Sequence, residues 1–364
     1  MKISGVISFL ETLAHPSLQE HYDNAGLITG NPDWECKGIV ISLDAIEEVV
    51  NEAIAKKCNL IISHHPIIFN GLKKINGRNY VEKTIIAAIK NDIAIYAIHT
   101  NLDNVIEGVS GKMAKMLELQ NVSILSQKEN TLKKLFIFVP VDRAETVRNA
   151  IFQAGGGHIG NYSQCSFNVE GIGTFKAGKN TDPYVGEVGK QHQEKEIRIE
   201  AIFPSFLEHT IVAAMKAAHP YEEVAYDIVN LSNNYQNIGA GIIGELPEAR
   251  EEKEFLSRIK EVFKVPLIRH TSLLNKPVKK IALCGGAGSF LISKALAAGA
   301  DVYITADVKY HEFFDANNKI LMADIGHYES EQFTIDLLHE ILLQKFPTFA
   351  ILKTEVETNP VRYF

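Results

Sequence analysis

Residues 59–69 read NLIISHHPIIF. An apolar run of strand character ends in two adjacent histidines, and a second apolar run follows Pro66. A core strand has little reason to end in two imidazoles. A strand whose end meets a ligand does. Pro66 supplies no ladder donor and holds His65 out of helical geometry. Neighbours on an extended chain point apart, so His64 and His65 suit two ions better than one.

The pattern around this stretch alternates. KGIVISLD (37–44) is β-rich and AIEEVVNEAIAKK (45–57) has helical spacing. YVEKTIIAAIKND (80–92) is helical, IAIYAIH (93–99) a strand and SGKMAKMLELQ (110–120) helical. The rhythm returns with KKIALCGG (279–286), SFLISKALAAGA (289–300), DVYIT (301–305), YHEFFDAN (310–317), KILMADI (319–325), the long helical run 328–346 and FAILKTEV (349–356). Strand–helix alternation predicts an α/β class with a mainly parallel sheet, formed by both halves of the chain. Between the halves the order changes. From LKKLFIFVPV (132–141) to EEVAYDIVNL (222–231) it reads βαββαβ, a ferredoxin-like α+β order. The expected organisation is a core first half over 1–126, an inserted domain over 127–236 and a core second half over 237–364.

In open α/β sheets, ligands bind beyond the carboxyl ends of strands. NLIIS is followed by His64 and His65, and IAIYAI by His99, Thr100, Asn101 and Asp103. DVYIT is followed by Asp307, and KILMADI by Gly326, His327 and Glu331. These residues would converge on one edge of one sheet. His327 and Glu331 share a face if a helix begins at His327. His64, His65 and His327 with Asp103 and Glu331 make three imidazoles and two carboxylates without a thiolate, a set that suits divalent zinc, iron, manganese, cobalt or nickel without choosing among them. Open coordination positions on such ions imply hydrolysis, and their residual positive charge favours an anionic substrate.

Other features carry plainer readings. His99 is a candidate acid/base group or a buried polar residue. Asp307 orients a ligand histidine or caps the following helix. GGAGSF (285–290) is a tight strand-to-helix turn before it is a phosphate cradle. HPYEE (219–223) reads as a helix end and turn rather than a second metal site, and GGGHIG (155–160) as a helix C-cap.

The 364 residues exceed one ordinary core, and the net charge of −7 gives no indication of nucleic-acid binding. The four cysteines, Cys36, Cys58, Cys165 and Cys284, form no CxxC pair, which fits a reducing compartment. No apolar h-region or membrane-length run occurs, so the expected location is cytoplasmic, without a membrane.

NLIISHHPIIF, IAIYAIHTNLDN, DVYITADVKYHEFFDA and ILMADIGHYESE together resemble the NIF-three-like family, the GTP cyclohydrolase 1 type 2 homologues. YDNAGLITG (22–30), CGGAGSF and the terminal TNPVRYF fit the same resemblance, which spans nearly the whole chain. It implies a dinuclear site on His64, His65, Asp103, His327 and Glu331, with Glu331 bridging two divalent ions. It also implies a ring-shaped homohexamer, formed as a dimer of trimers. The 127–236 segment, with GIGTFKAG and HPYEEVAYD, resembles the PII- and CutA-type insert of longer bacterial members. Two positions depart from the family: Tyr22 stands in place of Trp, and Ala306 in place of Gly. The implied activity is hydrolytic opening of the guanine imidazole of GTP by attack at C8, or hydrolysis of another phosphate-bearing substrate. The competing expectation is a metal-binding regulatory hexamer whose insert senses a small molecule or partner.

Overall fold

The computed structural model describes residues 1–364 as two compact units, one of 1–127 with 237–364 and one of 128–236. The first unit holds two sheets. In the five-stranded sheet, Ile39–Ser42, Leu60–Ser63 and Ala94–Ala97 run parallel and are wholly buried. Burial on both faces is why these strands read as continuous apolar runs without alternation. Ile351–Lys353 joins one edge in parallel and Gly26–Thr29 the other antiparallel. The helices Glu47–Ala55 and Tyr80–Lys90 bury Val49, Val50, Ala53, Ile85 and Ala88 against this sheet, together with Ile61 and Ile95. Each of these valine and isoleucine side chains contributes about 1.5–3 kcal/mol when removed from water.

The six-stranded sheet has the order Arg269–His270, Leu321–Asp324, Val302–Ala306, Val278–Ala287, Gly239–Arg250, Gln120–Gln127. Only its pairings among Val278–Ala287, Val302–Ala306 and Leu321–Asp324 are parallel. The one mainly parallel sheet expected from the sequence is thus two sheets, the first parallel but for its Gly26–Thr29 edge and the second mixed throughout. The βαβ reading passes over Gln120–Gln127 and Gly239–Arg250, whose antiparallel pairing produces the difference. Each sheet takes a strand from the other half of the chain: Ile351–Lys353 enters the first, Gln120–Gln127 the second. The fold is mixed α/β.

The helical run 328–346 divides into His327–Glu331 and Thr334–Lys345, with a turn at Gln332 and Phe333. The side-chain amide of Gln332 donates to the carbonyls of Phe263 and Glu329 at this break. YHEFFDA forms a 3-10 helix, Tyr310–Ala316.

The 128–236 unit is a four-stranded antiparallel sheet in the order Phe167–Lys176, Gln191–Pro204, Leu132–Pro140, Tyr226–Asn230. Its helices Ala144–Gln153 and Glu208–Ala218 pack Val147, Ile151, Ile211 and Met215 on Leu135, Ile137, Val139, Ile199 and Ala201. The alternate residues of the same strands face away from the helices. No helix of either unit is long and apolar enough to cross a membrane.

Candidate metal centre

His64 and His65 leave the carboxyl end of Leu60–Ser63. His64 is fully buried and donates its Nδ1–H to the carbonyl of Ile98 at 2.8 Å, which leaves Nε2 as the free ring atom. That Nε2 lies 3.6 Å from Asp103 Oδ1 and 3.8 Å from Glu331 Oε1. Asp103 closes the short helix Thr100–Asp103 that follows Ala94–Ala97. His65 turns the other way: Nδ1–H donates to Asp44 Oδ1 at 2.7 Å, and Nε2 lies 2.9 Å from Glu331 Oε2.

The second sheet supplies the other side. His327 opens and Glu331 closes the helix that follows Leu321–Asp324. Their i, i+4 spacing puts His327 Nε2 3.1 Å from Glu331 Oε2, while His327 Nδ1–H donates to Asp307 Oδ2 at 2.7 Å. The strand-end residues therefore do meet, but at the ends of strands in two sheets rather than on the edge of one.

The donors fall into overlapping sets: His64, Asp103 and Glu331; His65, His327 and Glu331; and His64, His65 and His99. Glu331 belongs to the first two. His64 Nε2 and Asp103 Oδ1 are buried polar atoms without a hydrogen-bond partner, which native proteins seldom leave unpaired. Orphaned nitrogen and oxygen atoms facing one another in a mixed imidazole–carboxylate set fit a divalent cation.

The charge balance agrees. Burial works against the charged form of His65, but hydrogen bonds to Asp44 and Glu331 lift its pKa to about 10. His327 is likewise held against burial, at about 9, by Glu331 and Asp307. Burial and the neighbouring Glu331 charge raise Asp103, whereas the three imidazoles hold Glu331 well below the usual carboxylate range despite its burial. The carboxylates thus favour positive charge beside His65 and His327.

The remaining sequence candidates surround this cluster. His99 donates Nδ1–H to Asp23 Oδ1 at 2.8 Å, and its ring centroid lies 5.2 Å from that of His64 and 5.4 Å from that of His65. Asp307, in the left-handed region at φ 54°, orients His327. It does not cap the next helix, where Lys309 and Glu312 form the cap. GGAGSF contributes space. Gly286 has φ 63°, and a Cβ there would collide with Glu331 Oε1. Ala306 ends its strand fully buried.

One carboxylate, Asp44, escaped the sequence reading, and Asp23, a candidate for the cavity lining with Tyr22 and Asn24, had no place assigned. Asp44 follows Ile39–Ser42, so the strand-end argument would have found it had that strand been included. Its Oδ2 accepts from the hydroxyl of Thr358, in the terminal TNPVRYF. Asp23 stands in YDNAGLITG, on no strand end, and had no signal of position. Together with His99, His65, His327 and Glu331, Tyr22, Phe69, Tyr80, Arg78 and Lys83 line a cavity of about 1300 Å³.

The family model of Duf34/NIF3 (NGG1p interacting factor 3) matches residues 1–360. A protein of Halalkalibacterium halodurans named GTP cyclohydrolase 1 type 2 homolog is 37% identical over 371 residues, covering 100% of both chains. A Bacillus subtilis protein of the same name is 37% identical, covering 98% of this chain and 97% of its own. The crystal structure of a Bacillus cereus protein related to NIF3 superposes with a TM-score of 0.87 at 39% identity, over 100% of this chain and 99% of that one. The chain belongs to the Duf34/NIF3 family.

Proposed function

We propose that the chain holds two divalent metal ions, zinc or iron foremost, and is a metal-dependent hydrolase of a nucleotide or other phosphate-bearing substrate. The observation that carries this reading is the meeting of two donor sets at Glu331, with His64 Nε2 and Asp103 Oδ1 orphaned beside it. In this reading His64 and Asp103 would hold one ion and His65 and His327 the other, with Glu331 a donor to both. When bound, the ions supply Lewis acidity and lower the pKa of water.

The protein side chains do the rest. Asp44 and Asp307 fix the tautomers of His65 and His327 by accepting hydrogen bonds from their Nδ1–H groups. Asp23 does the same for His99, so its Nε2 is the atom that takes and returns a proton during turnover. Arg78 and Lys83 on the cavity wall attract phosphate, and Tyr22, Phe69 and Tyr80 offer ring faces to a base. GTP is the first substrate to test, because relatives carry the name GTP cyclohydrolase 1 type 2 homolog.

Metal-loaded protein incubated with GTP and a nucleotide panel, followed by chromatography, should show turnover that His65→Ala and Glu331→Ala abolish. Absence of turnover by the wild type, or full activity in both variants, sinks the hydrolase. A second reading, a non-catalytic metal-binding regulator, is favoured by a separate cavity lined only by residues of the 128–236 unit. We assign that unit to the PII- and CutA-like ferredoxin class on its βαββαβ order, and the assembly to a homohexameric ring on family resemblance. Sedimentation giving a monomer would refute the ring. Four unpaired cysteines support a reducing, cytoplasmic setting.

A further inference from the structure

Two motifs of the 128–236 unit have no part in the metal centre. GIGTFKAG (171–178) and HPYEE (219–223) meet at a cavity of about 600 Å³. It opens on the sheet face turned away from the helices, since Phe138, Glu196 and Arg198 alternate along their strands with the core residues Ile137, Ile197 and Ile199.

The walls are aromatic. Tyr221 has its ring centroid 6.3 Å from Phe175 and 6.1 Å from Tyr184, and Phe138 lies on the same lining. The floor is glycine. A Cβ on Gly171 would meet nothing within 4 Å, so the missing side chain leaves the cavity open. A Cβ on Gly173 would strike the Glu196 carboxylate, so Gly173 lets that carboxylate lie over the strand.

Glu196 is 9% exposed, and its Oε1 accepts from the Tyr221 hydroxyl at 3.0 Å. It forms no ion pair. The nearest guanidinium on the lining, Arg198, turns to Glu200 at 2.7 Å and lies over Phe136. A buried carboxylate held by one neutral donor is costly unless a cation completes it. Aromatic faces attract cations as well.

We infer that this cavity binds a small organic cation, an amine, amidinium or guanidinium group on a flat apolar body. The charge sits on Glu196, and the body lies against Phe175, Tyr184 and Tyr221. The inference is independent of the metal centre, with which the cavity shares no residue.

Benzamidine is the probe, with benzamide and benzoate as neutral and anionic analogues of nearly the same shape. Calorimetric titration of the full chain should give one benzamidine per chain with Kd below about 1 mM. Both analogues should bind at least about tenfold more weakly. Glu196→Gln keeps the Tyr221 hydrogen bond but removes the charge, and should weaken benzamidine about tenfold or more. Gly171→Val fills the floor with a residue that strands favour, and should abolish binding. No benzamidine binding, equal binding of benzamide or benzoate, or unchanged affinity in both variants overturns the inference. Circular dichroism checks the fold. If Glu196→Gln misfolds, Tyr184→Ala on the half-exposed wall must weaken benzamidine instead, and failure to do so also overturns it.

Discussion

Glu331 places its Oε2 2.9 Å from His65 Nε2 across 266 residues of chain. The same oxygen lies 3.1 Å from His327 Nε2, while Oε1 lies 3.8 Å from His64 Nε2. One buried carboxylate is thus the common partner of three imidazoles from two sheets. Its removal strips both donor sets at once. Glu331→Ala should lower the metal content of reconstituted protein from about two ions per chain to below about half an ion, read by elemental analysis. Retention of two ions would show that Glu331 is not the shared ligand.

Asp44 and Asp307 each accept a hydrogen bond from the Nδ1–H of a proposed ligand histidine. Neither belongs to the donor sets. Asp44→Asn and Asp307→Asn should each weaken metal binding about 10–100-fold, measured by competition with a chromophoric chelator. Unaltered affinity in both would mean that the imidazoles are positioned by packing alone.

Asp23 links acid stability to the cavity. Burial opposes its ionisation, but hydrogen bonds from His99 and Thr100 hold its pKa at about 2, against 3.8 for the ordinary carboxyl. A depressed carboxyl pKa stabilises the folded chain fully above the unfolded value. The contribution fades as pH falls from about 4 toward about 2, because the unfolded chain takes up the proton first. The stability gap between wild type and Asp23→Asn should therefore be widest above pH 5 and shrink toward pH 2.5, as read from urea midpoints. A gap constant over that range would contradict the assignment.

Gly286 and Gly299 provide a matched pair. Both have positive φ, 63° and 69°, but only at Gly286 would a Cβ collide with Glu331. Gly299→Ala should cost the backbone term alone, about 1–2 kcal/mol. Gly286→Ala should cost more in urea unfolding and also lose metal. Equal costs with full metal content would remove the proposed role of Gly286 in seating Glu331.

Gln127 and Gly239 are paired residues on neighbouring strands, so the chain leaves and re-enters the first unit about one strand spacing apart. Replacing residues 128–236 by a short turn should leave that unit folded and metal-binding. A cooperative thermal transition and bound metal in the shortened chain are the expected readouts. An unfolded product would show that the two units depend on each other for folding.

Much of this protein is legible one residue at a time. Leu60–Ser63 and Ala94–Ala97 are read as buried strands because apolar runs bounded by turns have few other fates. The polar residues at their ends follow from the rule that parallel strands deliver ligands at their carboxyl ends. His64, His65, His99, Asp103, His327 and Glu331 were all collected this way. Gln120–Gln127 was not, because QNVSILSQ is mostly polar and owes its strand state to pairing with Gly239–Arg250. Asp44 was missed and Asp23 left unplaced because nothing local marks a carboxylate as the partner of an imidazole 21 or 76 residues away.

The sequence by itself determined most of the elements, the donor types and their places on strand ends, since periodicity and side-chain chemistry are local properties. Only the tertiary structure decided that the donors come from two sheets, that Glu331 sits among three imidazoles, and that Gly286 makes room for it. Those are distances between residues far apart in the chain, fixed by which strands pair and which helices cover them.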